Sequence, residues 1–162
     1  MSIRGAFSAI SALIDTRAVG LNTGISIPAN LNVSTNYTDG AGANQGNVLY
    51  QAQRTFSGST DNVDLSGVLT DSFGSTVSLV RVKAILIQNT SASNSITVGN
   101  GTNPWATLLN GTGTITLPPG AWFAAATPDA TGWAVTNSTA DILKLAGTSG
   151  QSYKLILLGA SS

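Results

Sequence analysis

The chain has 162 residues, a formal net charge of +0 from seven basic and seven acidic side chains, and 42% hydrophobic but only 9% charged residues, against roughly 25% charged in an ordinary soluble domain. It has no histidine, cysteine or glutamate, so the groups that carry most proton-transfer, nucleophilic and transition-metal chemistry near neutral pH are missing. One domain of this length can build a real core, and a surface so poor in charge is expected to be covered by partners, which points away from an enzyme and towards an assembly protein.

From the N-terminus, Phe7, Ile10 and Ile14 stand at i, i+3 and i+7, a spacing that predicts a short helix over about residues 6–18, ending near Gly20. Such a helix is marginal alone and needs a surface to pack on. Residues 22–47 are rich in Asn, Gly, Thr and Ser, with single apolar residues at Ile25, Ile27, Leu31 and Val33, the composition of extended pieces without a core of their own. Residues 1–55 thus read as an N-terminal arm, with Gly40, Gly42 and Gly46 marking a hinge.

Residues 56–162 read as a body of short strands, at 62–65, 79–89, 95–98, 105–108, 114–117, 121–126, 133–136, 142–145 and 153–158. In the longest, Val80, Val82, Ala84 and Leu86 alternate with Leu79, Arg81, Lys83, Ile85 and Ile87, and its second half is apolar on both faces, as in a central strand. Pro118-Pro119-Gly120 stops one strand and turns the chain into the next. This spacing, without helical interludes, predicts an all-β fold: a jelly-roll-like antiparallel β-sandwich with an extended N-terminal arm.

The same residues were weighed for chemistry. The cations are scattered, and the densest pair, Arg81 and Lys83, reads as a solvated or ion-paired strand edge, so no nucleic-acid partner is expected. No apolar run of 18 residues occurs, and the run after Arg4 is broken by Ser8, Ser11 and Asp15, so neither a membrane span nor a signal peptide is expected. Asp61, Asn62 and Asp64 lack the spacing and the glutamate of a calcium loop, which leaves no metal site. Nothing brings Asp129 to Asp141, no Ser-x-x-Lys is present, and Gly99-Asn100-Gly101 has no following lysine to hold a phosphate, which leaves no catalytic pair and no cofactor. Of the tryptophans, Trp122 beside Phe123 is assigned to the core, while Trp105 and Trp133 are candidates for a subunit interface or a glycan platform. The six Asn-x-Ser/Thr triplets, at Asn32, Asn36, Asn89, Asn100, Asn110 and Asn137, follow from composition and imply no glycosylation.

The run over 64–73, Asp-Leu-Ser-Gly-Val-Leu-Thr-Asp-Ser-Phe, leads into Val80-Arg81-Val82-Lys83-Ala84-Ile85, then Pro118-Pro119-Gly120 and Pro128-Asp129-Ala130-Thr131-Gly132-Trp133-Ala134-Val135-Thr136. It closes with Leu157-Leu158-Gly159-Ala160-Ser161. Over residues 61–161 this series resembles small virion proteins of tailed bacteriophages. The resemblance implies a β-sandwich protein on the phage particle, a capsid decoration or cement protein without catalytic residues. Made in the host cytoplasm, it is expected on the capsid surface as a homo-oligomer, a trimer rather than a dimer, bound to the major capsid protein. Its arm is expected to bridge capsid subunits through Phe7, Ile10, Leu13, Ile14, Ile25 and Ile27. The alternative is a tail or fibre module that recognises host glycan through its sandwich loops and tryptophans.

Overall fold

The computed structural model describes residues 3–19 and 22–162, with the backbone alone over 15–19 and 22–25. Two long strands open the chain, β1 (Gly5–Val19) and β2 (Asn22–Tyr37), paired antiparallel from Gly5↔Tyr37 to Val19↔Asn22. The short helix expected over 6–18 is therefore replaced by a β-ribbon. The reason lies in β2, where Ile27, Ala29, Leu31 and Val33 alternate with Ser26, Pro28, Asn30, Asn32 and Ser34. That period of two specifies a strand, and pairing with it gives β1 a hydrogen-bond ladder along one edge, whereas a lone helix of that length is marginal.

The chain continues through β3 (Val48–Thr55), β4 (Thr60–Asp64), β5 (Ser66–Thr70), β6 (Thr76–Ser78), β7 (Arg81–Asn89) and β8 (Ile96–Gly99). After the single-turn helix α1 (Ala106–Leu109) come β9 (Thr114–Leu117), β10 (Trp122–Ala126), β11 (Trp133–Ala134), β12 (Ile142–Ala146) and β13 (Ser152–Ala160). One sheet runs β10-β7-β13-β3, with β11 also paired to β7, and a second runs β4-β12-β8-β9; β5 and β6 form a separate small hairpin. All strand pairings are antiparallel. The protein is all-β with one short helix.

The two larger sheets share one core. The first contributes Ile85, Ile87, Tyr153, Leu155 and Leu157, and the second Val63, Ile96, Val98, Leu143 and Leu145. Phe56 closes one end, its ring 5.2 Å from that of Tyr153. Three details differ from the sequence reading. Residues 48–55, grouped there with the arm, form β3, an outer strand of the first sheet, because each of its residues pairs with β13. Residues 105–108, read as a strand, instead hold the buried Trp105 and most of α1 (Ala106–Leu109). The alternation of β7 breaks at Lys83: Leu158 pairs with Ala84 but Gly159 with Val82, so Lys83 is an extra residue in a β-bulge. The bulge lets Val82 and Ile85 both enter the core while Ala84 turns to the outer face. Among the described residues no helix is long and apolar enough to cross a membrane.

Candidate interaction surface

The ribbon sorts its side chains by parity. Directly paired residues share a face, so Phe7, Ala9, Ser11 and Leu13 of β1 lie with Thr35, Val33, Leu31 and Ala29 of β2, and the register next pairs Asp15 with Ile27. The other face joins Ser8, Ile10, Ala12 and Ile14 to Ser34, Asn32, Asn30 and Pro28, with the Ser8 hydroxyl donating to that of Ser34 at 3.0 Å. One face is thus largely apolar, interrupted by Ser11 and Thr35, and β1 carries apolar residues on both faces. Leu13, Ile27, Leu31 and Val33 are 52–67% exposed. Covering these four would contribute about 4–8 kcal/mol, from about 1.5–3 kcal/mol per fully buried side chain. A two-stranded ribbon is marginal alone in water.

At its root the ribbon is tied to the body. Phe7 and Ile3 pack with Tyr37, Leu49, Ala84, Ala126 and Leu158 in a small cluster outside the first sheet. The Tyr37 hydroxyl donates to the carbonyl of Thr127 at 2.9 Å and shares that proton with the carbonyl of Lys83 at 3.0 Å. Lys83 is 0% exposed. Its ammonium donates to the carbonyls of Gly42 at 3.4 Å, Ala130 at 2.7 Å and Asp129, which clasps the hinge loop to the loop after β10. Burial pulls its pKa below the ordinary lysine value, the neighbouring Arg81 adds to that, and Asp129 opposes it. The solvated or ion-paired strand edge expected at Arg81 and Lys83 is thereby corrected for Lys83, because the bulge turns it into a ring of backbone carbonyls.

Beside the root, a groove of ≈ 650 Å³ separates β1 from the outer face of the first sheet and is lined there by Leu49, Leu86, Trp122, Ala124, Ile156 and Leu158. Trp122, assigned to the core from sequence, is 60% exposed. It pairs with Gln88 on the outer side of the sheet, one residue out of phase with the inward Phe123. Trp105 is only 4% exposed, and its indole nitrogen donates to the Ala134 carbonyl at 2.9 Å, so it offers no face to a glycan. Trp133 is partly buried against the same core. Of the six arm anchors read from sequence, Phe7, Leu13 and Ile27 share the apolar face, Ile10 and Ile14 lie on the other, and the Ile25 side chain falls outside the described residues. Leu31, Val33 and Trp122 were missed as surface residues; for the first two the signal was the two-residue period of β2.

The residues weighed for chemistry are occupied structurally. Asp61 takes two hydrogen bonds from the Arg54 guanidinium, both at 2.8 Å, and one from the Tyr153 hydroxyl at 2.8 Å. Asp64 points to the other side of β4 and accepts from the Ser66 amide at 2.8 Å, so the two carboxylates do not converge. Burial alone would raise the Asp61 carboxyl, but Arg54 and Tyr153 outweigh it and hold its pKa below the usual carboxylate value. The Asp129 carboxylate is bonded to Thr131 and that of Asp141 to Ser66 and Ser138, with no bond joining the two. Among the described residues, no three acids, histidines or cysteines gather as a metal site requires. No family model, curated protein or solved structure matches the chain.

Proposed function

We propose that this chain is a non-enzymatic structural protein of a phage particle, a capsid decoration protein that joins major capsid subunits through its N-terminal ribbon and a homo-oligomeric body. The body is read as a jelly roll. When β3, β4, β7, β8, β9, β10, β12 and β13 are counted from one to eight, the sheet orders become 6-3-8-1 and 2-7-4-5. The pairs first–eighth, second–seventh, third–sixth and fourth–fifth are nested, as in a long folded hairpin rolled into two sheets, which supports the jelly-roll reading. That architecture hosts many functions, so the reading rests on the arm and not on the body. The observation that carries it is the uncovered, largely apolar face of the ribbon on a chain with only 9% charged residues.

Removal of residues 1–45 is expected to leave a folded, soluble body that no longer binds shells assembled from the major capsid protein. Shell binding by the truncated body at the level of the full chain overturns the role given to the arm. Copy number in purified particles tests the location: an abundance comparable to the shell protein supports decoration of the lattice, and a few copies per particle place the protein at a tail or vertex instead.

A further inference from the structure

The molecule carries a second apolar surface that matches the arm. The outer face of the first sheet presents Trp122 and Ala124 from β10, Leu86 from β7, Ile156 and Leu158 from β13 and Leu49 from β3. The part around Leu158 and Leu49 is covered within the same copy by Ile3 and Phe7 of the arm's root. One copy thus shows which surface the Phe7 face of the ribbon packs on. The register carries that face outward through Ala9, Leu13, Leu31 and Val33, where the ribbon's extensive contacts are with itself alone. The part of the sheet around Trp122 meanwhile stays open.

We propose that the ribbon of one copy lies on the outer sheet face of a second copy of this chain, with Leu13, Leu31 and Val33 filling the open groove beside Trp122. The inference rests on the reading of the arm as a docking element and names its partner. Neither surface favours a strongly charged occupant: residues 5–14 and 26–37 contain no charged side chain, Asp15 being the first charge along the register, and of the groove-lining residues only Arg4 is charged, with Lys154 further along the sheet face beside Gln88. At about 3.4 Å per residue the ribbon is about 50 Å long and, with two strands, about 10 Å wide; beyond the root covered by its own body, the eleven residues from Ala9 to Val19 offer on the order of 370 Å² on one face. A one-way contact falls short of the roughly 800 Å² per partner of a standard interface. Reciprocal exchange, in which each copy gives one ribbon face and receives another, reaches about 750 Å² per partner, close to that value. The exchange is therefore isologous between two copies, where the sequence led to an expectation of three. On a shell, linked pairs of decorating copies then supply the stapling, with the avidity of two attachment points.

The test uses the full chain without any shell protein. Light scattering on the eluting protein is expected to give twice the mass of one chain. Leu31→Asp on the ribbon and Trp122→Asp on the sheet, both at exposed positions, are each expected to halve that mass without changing the far-ultraviolet circular dichroism. Because the chain has no cysteine, Leu31→Cys chains can be mixed with Trp122→Cys chains and treated with a short bis-maleimide, which is expected to link position 31 mainly to position 122. A monomeric unaltered chain overturns the proposal, as does a Trp122→Asp dimer of unchanged stability or a predominance of 31-to-31 links. Since no shell protein is present, a failure here is separate from a failure of the decoration reading, which the copy number in particles decides.

Discussion

Replacing Asp61 by alanine is the sharpest single test of how the two sheets are joined. Arg54 lies at the end of β3 in one sheet and Asp61 on β4 in the other, with side chains 27% and 16% exposed. Removing the carboxylate deletes two guanidinium hydrogen bonds and that of the Tyr153 hydroxyl, and leaves Arg54 with only the hydroxyls of Tyr50 and Tyr153, each at 3.1 Å. Breaking a fully buried pair costs about 3–5 kcal/mol; residual solvent contact at both ends lowers this to about 2–3 kcal/mol. A loss of that size is a fall of about 5–10 °C in the melting temperature of a domain of this length. Replacing both residues together, Arg54→Met with Asp61→Leu, is expected to cost less than the two single changes combined, because no charge is left unpaired. The acid limb gives an independent reading. With its pKa below the ordinary 3.8 in the folded protein, Asp61 leaves the unfolded chain binding more protons between the two values, so its stabilisation is complete above the unfolded pKa and is lost as pH falls through the folded one. Asp61→Asn should therefore flatten the decline in stability below about pH 4. Denaturant titrations that give Asp61→Ala a cost under about 0.5 kcal/mol, the ordinary surface range, refute the reasoning.

The tryptophans should separate by burial. Trp105→Ala is expected to cost about 3–5 kcal/mol by creating a cavity, whereas Trp122→Ala should stay within about 0.5 kcal/mol in the monomer; thermal unfolding with the order reversed would contradict the placement of both. Lys83→Met leaves the carbonyls of Gly42, Asp129 and Ala130 without their shared donor, at a cost of about 1–3 kcal/mol. Amide exchange is expected to quicken in residues 38–46 and 127–132 while β4 and β12 keep their protection, and an equal increase in both sheets would count against a local clasp.

Much of the body was legible because its strands obey a two-residue period between turn residues, as at 142–145 and 153–158, which the structure places in β12 and β13. The arm was harder because β1 carries apolar residues on both faces: Phe7, Ile10 and Ile14 satisfy a helical spacing as well as a strand, and only the partner β2 decides between them. Trp122 was misplaced for a related reason. Alternation shows that Trp122 and Phe123 face opposite ways, but not which of the two sides is the core. The burial of Lys83 has no signature in composition, since it depends on one extra residue in β7 and on a loop more than 40 residues away that supplies two of its carbonyl partners.

Most of the few charges of the body are spent as fasteners, the exposed Lys154 of β13 standing apart. Arg54 holds Asp61, Lys83 and Arg81 hold carbonyls of the loop after β10, Lys144 holds the Asn100 carbonyl, and Asp64, Asp71 and Asp141 order the turns around them. Little charge is left to steer a partner from a distance, so recognition falls to short-range apolar contact and to geometry. For the ribbon that geometry is its own register. A one-residue slip of β2 against β1 would turn Asn30, Asn32 and Ser34 towards the partner and Leu31 and Val33 away from it. The contact between the Ser8 and Ser34 hydroxyls on the polar face and the anchoring of Tyr37 at the root both oppose such a slip. In the proposed exchange the clasp at the base of the arm would therefore bear on binding as well as on folding, by fixing which face of a ribbon about 50 Å long is turned to the second copy.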